Sequence, residues 1–186
     1  MHSGSPRNVT LVLGGVRSGK SRYALQLAAG AQSVTFLATA EHRDDEEMRR
    51  KIDRHRAERP QHWTTLEESL NLASAIQLMG KSDLLLVDCL TLYAGKLLEV
   101  HGADPSSMIA NIDAFCTALI EPPCSVVLVS NEVGSGVVPE FELGRRYRDL
   151  LGEINQRVAA IADHVVLMVA GLPLAIKGSV TTEARI

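Results

Sequence analysis

The sequence has few cysteines and little excess of charge of either sign. Its three cysteines, Cys89, Cys116 and Cys124, contain no C-x-x-C pair and are odd in number. This pattern argues against a disulfide scaffold and against a zinc site, and favours reduced thiols in a cytoplasmic protein. The formal net charge is −3 over 186 residues, so the chain lacks the basic excess of nucleic-acid-binding domains. We therefore expect no nucleic-acid partner.

Long apolar segments are missing as well. No apolar run approaches the roughly 20 residues that a membrane-spanning helix needs. Residues 1–8 lead into a predicted strand without an apolar signal segment. There is also no internal repeat, low-complexity tract or linker. These observations predict a cytoplasmic protein without membrane insertion, folded as a single domain over 1–186 with flexible ends at 1–8 and 178–186.

Short apolar runs alternate with helical patterns along the chain. The runs, which contain no polar alternation, are 9–13, 34–38, 84–87, 126–129 and 165–169. Helical spacing of apolar residues or of charge pairs marks 20–29, 44–58, 70–79, 92–100, 107–120 and 143–161. Such strands, separated by helices, are typical of a parallel sheet that is covered on both faces. The predicted fold is a three-layer α/β structure with a mostly parallel sheet.

Residues 14–21 fit the phosphate-binding motif G-x-x-x-x-G-K-[ST], between the first predicted strand and the first predicted helix. Glycines let backbone N–H groups turn inward around an anion, and the helix N-terminus adds partial positive charge. The predicted nucleotide-binding residues are Gly14, Gly15, Val16, Arg17, Ser18, Gly19, Lys20 and Ser21. In catalysis we expect Lys20 to reach the β- and γ-phosphates and the Ser21 hydroxyl to ligate Mg²⁺.

Polar residues follow several of the predicted strands. Asp88 ends the third run, at the edge where open parallel sheets bind ligands. Its carboxylate is suited to hold Mg²⁺ opposite Ser21, and the alternative is that Asp88 caps the next helix. Thr39 to Glu41 and Asn131-Glu132 occupy equivalent places after other strands, as functional loops or as plain turns.

His55 lies in the charged segment 44–58, where it shares a helical face with Met48 and Ile52. Two interpretations are open. His55 is a core-facing histidine whose nitrogens are satisfied locally, or it is a nucleophile that attacks the α-phosphate of a nucleotide and expels pyrophosphate. Neighbouring arginines would help to neutralise a triphosphate in the second case.

Over most of its length the chain resembles the bifunctional adenosylcobinamide kinase/adenosylcobinamide-phosphate guanylyltransferase family of cobalamin biosynthesis. The resemblance is carried by GGVRSGKS at 14–21, FLATAE at 36–41, DEEM through RHRAERPQHW at 45–63, LLVDCLTLY at 85–93, VVLVSNEVGSGVVPE at 126–140 and GRRYRDLLGEINQRVAAIAD at 144–163. A phosphate loop alone is common, whereas the combination of the RHRAERP and NEVGxGxVPE segments is highly specific to this family.

This resemblance implies a RecA-like P-loop NTPase fold, a homotrimer and two successive reactions. ATP or GTP phosphorylates adenosylcobinamide, and GMP from GTP is then transferred to adenosylcobinamide phosphate, giving adenosylcobinamide-GDP and pyrophosphate. The resemblance makes His55 the residue that becomes guanylylated. Besides the phosphate loop, it implies nucleotide contacts at Thr39, Ala40, Glu41, Ala57, Glu58, Arg59, Pro60, Glu67 and Asp88.

Two other functions are compatible with a phosphate loop. One is a monofunctional small-molecule kinase in which His55 is structural, and the other is a GTPase switch. The sequence contains no guanine-reading N-K-x-D segment, which counts against the switch. The chain departs from the resembled family at Lys96, Ser135 and Phe141, where we expect altered corrinoid contacts or packing.

Overall fold

The computed structural model describes residues 7–40, 46, 59–80 and 82–179. The strands in these ranges are β1 (Val9–Gly14), β2 (Val34–Ala38), β3 (Thr64–Glu67), β4 (Leu84–Asp88), β5 (Ser125–Asn131), β6 (His164–Val169) and β7 (Leu172–Lys177). The helices are α1 (Lys20–Ala28), α2 (Leu72–Gln77), α3 (Leu90–His101), α4 (Pro105–Ile120) and α5 (Glu142–Ile161). Their bounds agree with the sequence-based prediction to within two residues. The predicted helix 44–58 lies outside the described residues except for Glu46, which is helical.

One sheet joins all seven strands in the order β3-β2-β4-β5-β1-β6-β7. Neighbouring strands from β3 to β6 run parallel, and β7 pairs antiparallel with β6 at the edge of the sheet. Because β1 lies between β5 and β6, the phosphate loop leaves the sheet near its middle. This arrangement places the carboxyl ends of β2, β4, β5 and β1 along one edge.

Helices cover both faces of the sheet, as predicted. On one face α1 packs over strand residues that include Val12 and Phe36. The other four helices pack on the opposite face, over residues that include Leu11 and Leu85. Leu11 and Val12 point to opposite faces and both are fully buried. Burial on both sides explains why the central strands have continuous apolar sequences.

The prediction of five strands was wrong by two, since β3 and β7 were missed. Three of the four side chains of β3 are exposed, so the strand has no apolar run to reveal it. β7 is also mostly exposed, and it contains Pro173, a residue that strands tolerate mainly at sheet edges. Leu143, predicted on the buried face of the long helix, is 65% exposed. Among the described residues, no helix is long and apolar enough to cross a membrane.

Candidate active site

The predicted phosphate loop connects β1 to α1. Gly19 is the N-cap of α1 with φ of 93°, a conformation that favours glycine. A Cβ atom at this position would lie 3.2 Å from the Cα of Gly171, in the turn between β6 and β7. The backbone N–H of Gly171 donates to the carbonyl of Ser18 at 3.0 Å. The β6–β7 turn therefore packs against the loop and helps to hold its shape.

Lys20 lies at the start of α1 with its amine turned back over the loop. Its Nζ donates to the carbonyl of Gly15 at 3.0 Å. Desolvation by burial lowers the pKa of Lys20, while interactions with Cys89 and Asp88 raise it. An incoming phosphate would offer this amine charged oxygen acceptors in place of one neutral carbonyl, and hydrogen bonds between charged partners are the stronger ones.

Ser18 carries an unsatisfied hydroxyl inside the loop. The residue is 9% exposed, and its Oγ is buried without a hydrogen-bond partner. A buried polar group in this state costs free energy, and such groups in native structures usually have a functional or structural reason. The Ser18 hydroxyl is thus a donor that a bound anion could satisfy.

The register of the sheet brings several predicted site residues to one edge. Ala38 at the end of β2 is the register partner of Glu67 on β3 and of Asp88 on β4. On the other side of β5, Gly14 is the register partner of Asn131. The described residues predicted from loops after different strands are therefore neighbours at the carboxyl edge of the sheet.

Thr39 connects the ends of β2 and β4. Its Oγ1 donates to the carbonyl of Cys89 at 2.8 Å and accepts the backbone N–H of Cys89 at 2.7 Å. Thr39 is only 2% exposed, so these bonds are shielded from water. They fix the backbone immediately after Asp88.

The N-cap position of α3, the helix that Asp88 would cap under its alternative interpretation, is occupied by Cys89. Asp88 interacts electrostatically with Lys20. Burial, and next the negative charge of Asp88, raise the pKa of the Cys89 thiol to about 11, so this thiol stays protonated near neutral pH.

The donor set at the loop suits Mg²⁺. A carboxylate and a serine hydroxyl are hard oxygen donors, and Mg²⁺ is usually held by one or two carboxylates together with substrate phosphates and water. Within the described residues there is no cluster of three or more His, Cys, Asp or Glu side chains that would form an all-protein metal cage. Asp88 and Ser21 thus fit a metal that arrives with the nucleotide.

A buried polar network supports the end of β5. The hydroxyl of Ser130 donates to Oδ1 of Asn155 on α5 at 2.6 Å, and Nδ2 of Asn155 donates to the carbonyl of Asn131 at 3.0 Å. The backbone N–H of Asn131 donates to Oγ1 of Thr91 at 3.1 Å. The side-chain Oδ1 of Asn131 is buried without a partner, so this residue holds an open acceptor beside the phosphate loop.

The remaining predicted contacts lie beyond β2. The guanidinium of Arg59 stacks on the Phe36 ring with its carbon 3.3 Å from the ring centroid. Pro60 is exposed, and its carbonyl accepts the N–H of Trp63 at 3.1 Å. The other predicted site residues, Glu41, His55, Ala57 and Glu58, lie outside the described residues.

A large pocket adjoins this edge, and the sequence analysis did not predict it. Its volume is about 930 Å³, and it lies between α3 and the beginning of α5. Thr39, Ala40 and Thr91 line the end that meets the sheet, while Phe141 and Leu143 belong to its outer wall. Two of the three departures from the resembled family, Lys96 and Phe141, line the pocket, whereas Ser135 does not.

Comparison with solved structures finds a similar fold in an ATPase. The chain is similar to the assembled ATPase EscN of the enteropathogenic E. coli type III secretion system, with a TM-score of 0.54 and 15% identity over 88% of this chain and 43% of that one. EscN in complex with its central stalk EscO gives a TM-score of 0.56 at 15% identity over 95% of this chain and 49% of EscN. The protein thus spans less than half of each ATPase chain, and the likeness concerns the fold alone.

Comparison of sequences finds far closer relatives, described as bifunctional adenosylcobalamin biosynthesis proteins. CobP of Pseudomonas aeruginosa is 47% identical over 170 residues, which cover 90% of this chain and 96% of CobP. CobU of Salmonella typhimurium is 41% identical and CobU of Escherichia coli K12 is 38% identical, each over 179 residues that cover 90% of this chain and 98% of the relative. Residues 10–176 match the family CobU, described as cobinamide kinase / cobinamide phosphate guanyltransferase. The chain therefore belongs to the cobinamide kinase / cobinamide phosphate guanyltransferase family.

Proposed function

We propose that the protein is a bifunctional enzyme that phosphorylates adenosylcobinamide and then transfers GMP to the phosphorylated product. In the first reaction a substrate hydroxyl displaces the nucleoside diphosphate of ATP or GTP and loses its proton. In the second, GTP supplies GMP and releases pyrophosphate, and the product is adenosylcobinamide-GDP. Membership of the family supports both activities.

The observation that carries the kinase reaction is the arrangement of Lys20, Ser18 and Asp88 at one edge of the sheet. Phosphoryl transfer depends mainly on positioning and on neutralising negative charge. Lys20 and the loop N–H groups suit the β- and γ-phosphates, and Ser21 with Asp88 would hold Mg²⁺. The metal would supply further neutralisation of the transferring phosphoryl group. Thr39, Ala40, Arg59, Pro60 and Glu67 complete the proposed nucleotide contacts among the described residues.

The proposed guanylyl transfer passes through His55, which lies outside the described residues. A neutral imidazole nitrogen attacks the α-phosphate, the bond to pyrophosphate breaks, and a phosphoramidate to GMP forms. The acceptor phosphate then displaces the histidine, so one difficult displacement becomes two easier ones. Glu41, Ala57 and Glu58 are proposed nucleotide contacts in the same part of the chain. Trimeric assembly and a cytoplasmic location are further proposals that follow from the family resemblance.

Labelling with α-³²P-GTP and Mg²⁺ tests the covalent step. We expect acid-labile, base-stable label on the wild-type protein and no label on His55→Ala. The matched control is His62→Ala, which removes an exposed histidine close in sequence and should keep the label. Label that persists in His55→Ala would move the nucleophile to another residue.

The kinase activity is measured separately with γ-³²P-ATP and adenosylcobinamide. Phosphorylated cobinamide without any protein label in the first assay would favour the monofunctional kinase. Hydrolysis of GTP with neither product would favour the switch. The two assays together distinguish all three functions.

A further inference from the structure

The pocket between α3 and α5 includes the open space beside a glycine in the interior of a helix. Gly95 lies in the middle of α3 and lines the pocket. A Cβ atom built at Gly95 has no heavy atom within 4 Å. Glycine in a helix interior costs about 1 kcal/mol relative to alanine, and here no packing contact explains it. Because Gly95 lines the pocket, this open space is part of the cavity.

Hydrogen bonds fix the walls of the pocket relative to each other. The Tyr147 hydroxyl on α5 donates to the carbonyl of Thr91 on α3 at 3.1 Å, which joins the two helices. Arg145 donates to the carbonyls of Pro139 and Glu140 at 3.0 and 2.6 Å and so fixes the loop before α5. These bonds indicate a preformed cavity, as expected of a small-molecule site.

The chemistry of the lining changes from one end to the other. Thr39 and Thr91 line the end beside the sheet, and their hydroxyls bond to backbone groups of Cys89 and Asn131. Large apolar side chains form the outer part, where Phe141 and Leu143 are 77% and 65% exposed. Lys96 and Glu99 also line the pocket and pair with each other at 3.7 Å. A suitable ligand thus has a broad apolar body, polar substituents and one end beside the carboxyl edge of the sheet.

We propose that this pocket is the acceptor site and binds the corrin ring of cobinamide, with the reacting side chain directed past Thr91 and Thr39 toward the nucleotide. The inference rests on the proposed function, because it assigns the second substrate of the same reaction. No residue of Gly14–Ser21 lines the pocket, so the acceptor and the triphosphate occupy adjoining but separate spaces. A corrin ring is a wide, largely apolar macrocycle with amide side chains, which matches both ends of the lining.

Filling the pocket from Gly95 tests the proposal. Gly95→Phe would place a ring in the open space, and we expect the KM for cobinamide to rise at least about tenfold, the usual effect of losing good apolar contacts. The KM for ATP should change less than about twofold. The matched control is Gly152→Phe: Gly152 is also interior to a helix and also has nothing within 4 Å of a built Cβ, but it does not line the pocket. It should leave both constants near wild type.

Phe141→Ala is a second variant that does not depend on tolerance of a bulky residue. We expect it to raise the KM for cobinamide several-fold, while Val137→Ala, which removes an exposed apolar side chain outside the lining, should not. Equilibrium dialysis with cobinamide alone, followed by its visible absorbance, measures binding independently of turnover. It therefore tests the pocket even if the wild type proves inactive, an outcome that would contradict only the proposed function.

Three results would overturn the assignment. Unchanged affinity for cobinamide in both pocket variants would place the acceptor elsewhere. A raised KM for ATP or GTP instead would make the pocket part of the nucleotide site. A change in mass by analytical ultracentrifugation with cobinamide affinity unaltered would identify the apolar rim as a contact between copies of the chain.

Discussion

The side chain of Thr39 bonds to both backbone polar groups of Cys89, across the ends of two neighbouring strands. These two hydrogen bonds fix the backbone next to Asp88. Thr39 also lines the proposed acceptor pocket. The buried Thr39 hydroxyl thus supports both proposed substrate sites, the one for the nucleotide and the one for the acceptor.

Replacing Thr39 with valine should disturb both stability and nucleotide binding. Thr39→Val keeps the shape of the side chain but leaves the buried N–H of Cys89 without its acceptor, while the Cys89 carbonyl keeps the N–H of Leu92. The loss should lower the free energy of unfolding by about 1–3 kcal/mol. We also expect a higher KM for the nucleotide. Urea unfolding and steady-state kinetics measure the two effects.

The matched control is Thr35→Val, on the same strand but away from the carboxyl edge. Thr35 is also buried, and its hydroxyl bonds to that of Ser82 at 2.8 Å. It should lose stability without a change in KM. An equal rise in KM for both variants would show that Thr39 acts on the site only through general destabilisation.

Removing the amine of Lys20 should abolish most phosphoryl transfer. Lys20→Ala leaves the β- and γ-phosphates without their nearest proposed cation, and loss of one such group typically lowers kcat by about a hundredfold or more. Lys177→Ala is the control, because the bonds that Lys177 makes within the described residues go to helix carbonyls at the end of α5. Transfer of γ-³²P to adenosylcobinamide provides the measurement, and wild-type rates in Lys20→Ala would refute the assigned role.

Ser18→Ala should weaken triphosphate binding without lowering the stability of the nucleotide-free protein. Its Oγ has no partner inside the protein, so alanine should leave the melting temperature of the nucleotide-free protein unchanged or slightly higher. Affinity for the triphosphate should fall by about tenfold, since hydrogen bonds to charged groups contribute about 1.5–3 kcal/mol. Differential scanning fluorimetry and isothermal titration calorimetry give the two values. A clear loss of stability in the absence of nucleotide would contradict the finding that the Ser18 hydroxyl lacks a hydrogen-bond partner.

The Cys89 thiol predicts a specific dependence of stability on alkaline pH. The pKa of this thiol is raised from 9.0 to about 11 in the folded state. Its contribution to the free energy of unfolding is therefore fully present below pH 9 and is lost as the pH rises through about 11. Between these values the wild type should lose on the order of 2 kcal/mol more than Cys89→Ser, since one pKa unit corresponds to about 1.4 kcal/mol. Urea unfolding at about pH 8 and about pH 10.5 compares the two proteins. Parallel losses in both would place the titrating group elsewhere.

The central sheet and the phosphate loop could be predicted because local sequence determines them. The apolar composition of Val9 to Leu13 predicts a buried strand, and the motif G-x-x-x-x-G-K-S requires the turn that follows. β3 and β7 could not be predicted in the same way, because their side chains are mostly exposed. Such strands are held by backbone pairing with β2 and β6, which no local pattern records.

The pocket illustrates a second limit on sequence-based prediction. Gly95 is an ordinary helix residue until the topology brings α3 beside the start of α5, and only then does its missing side chain become an open space. Leu143 fits the apolar face of a regular helix, but the fold leaves it at the pocket rim. The contact of Thr39 with Cys89, 50 positions away, likewise depends on the order of the strands.

The hydrogen bond from Gly171 to Ser18 has a consequence for biosynthesis of the protein. The phosphate loop is encoded by residues 14–21, but one of its supporting partners is made only when the ribosome reaches residue 171. A nascent chain that has emerged as far as β5 therefore still lacks this support. Full ordering of the nucleotide site should therefore wait until the β6–β7 hairpin has been made and has docked.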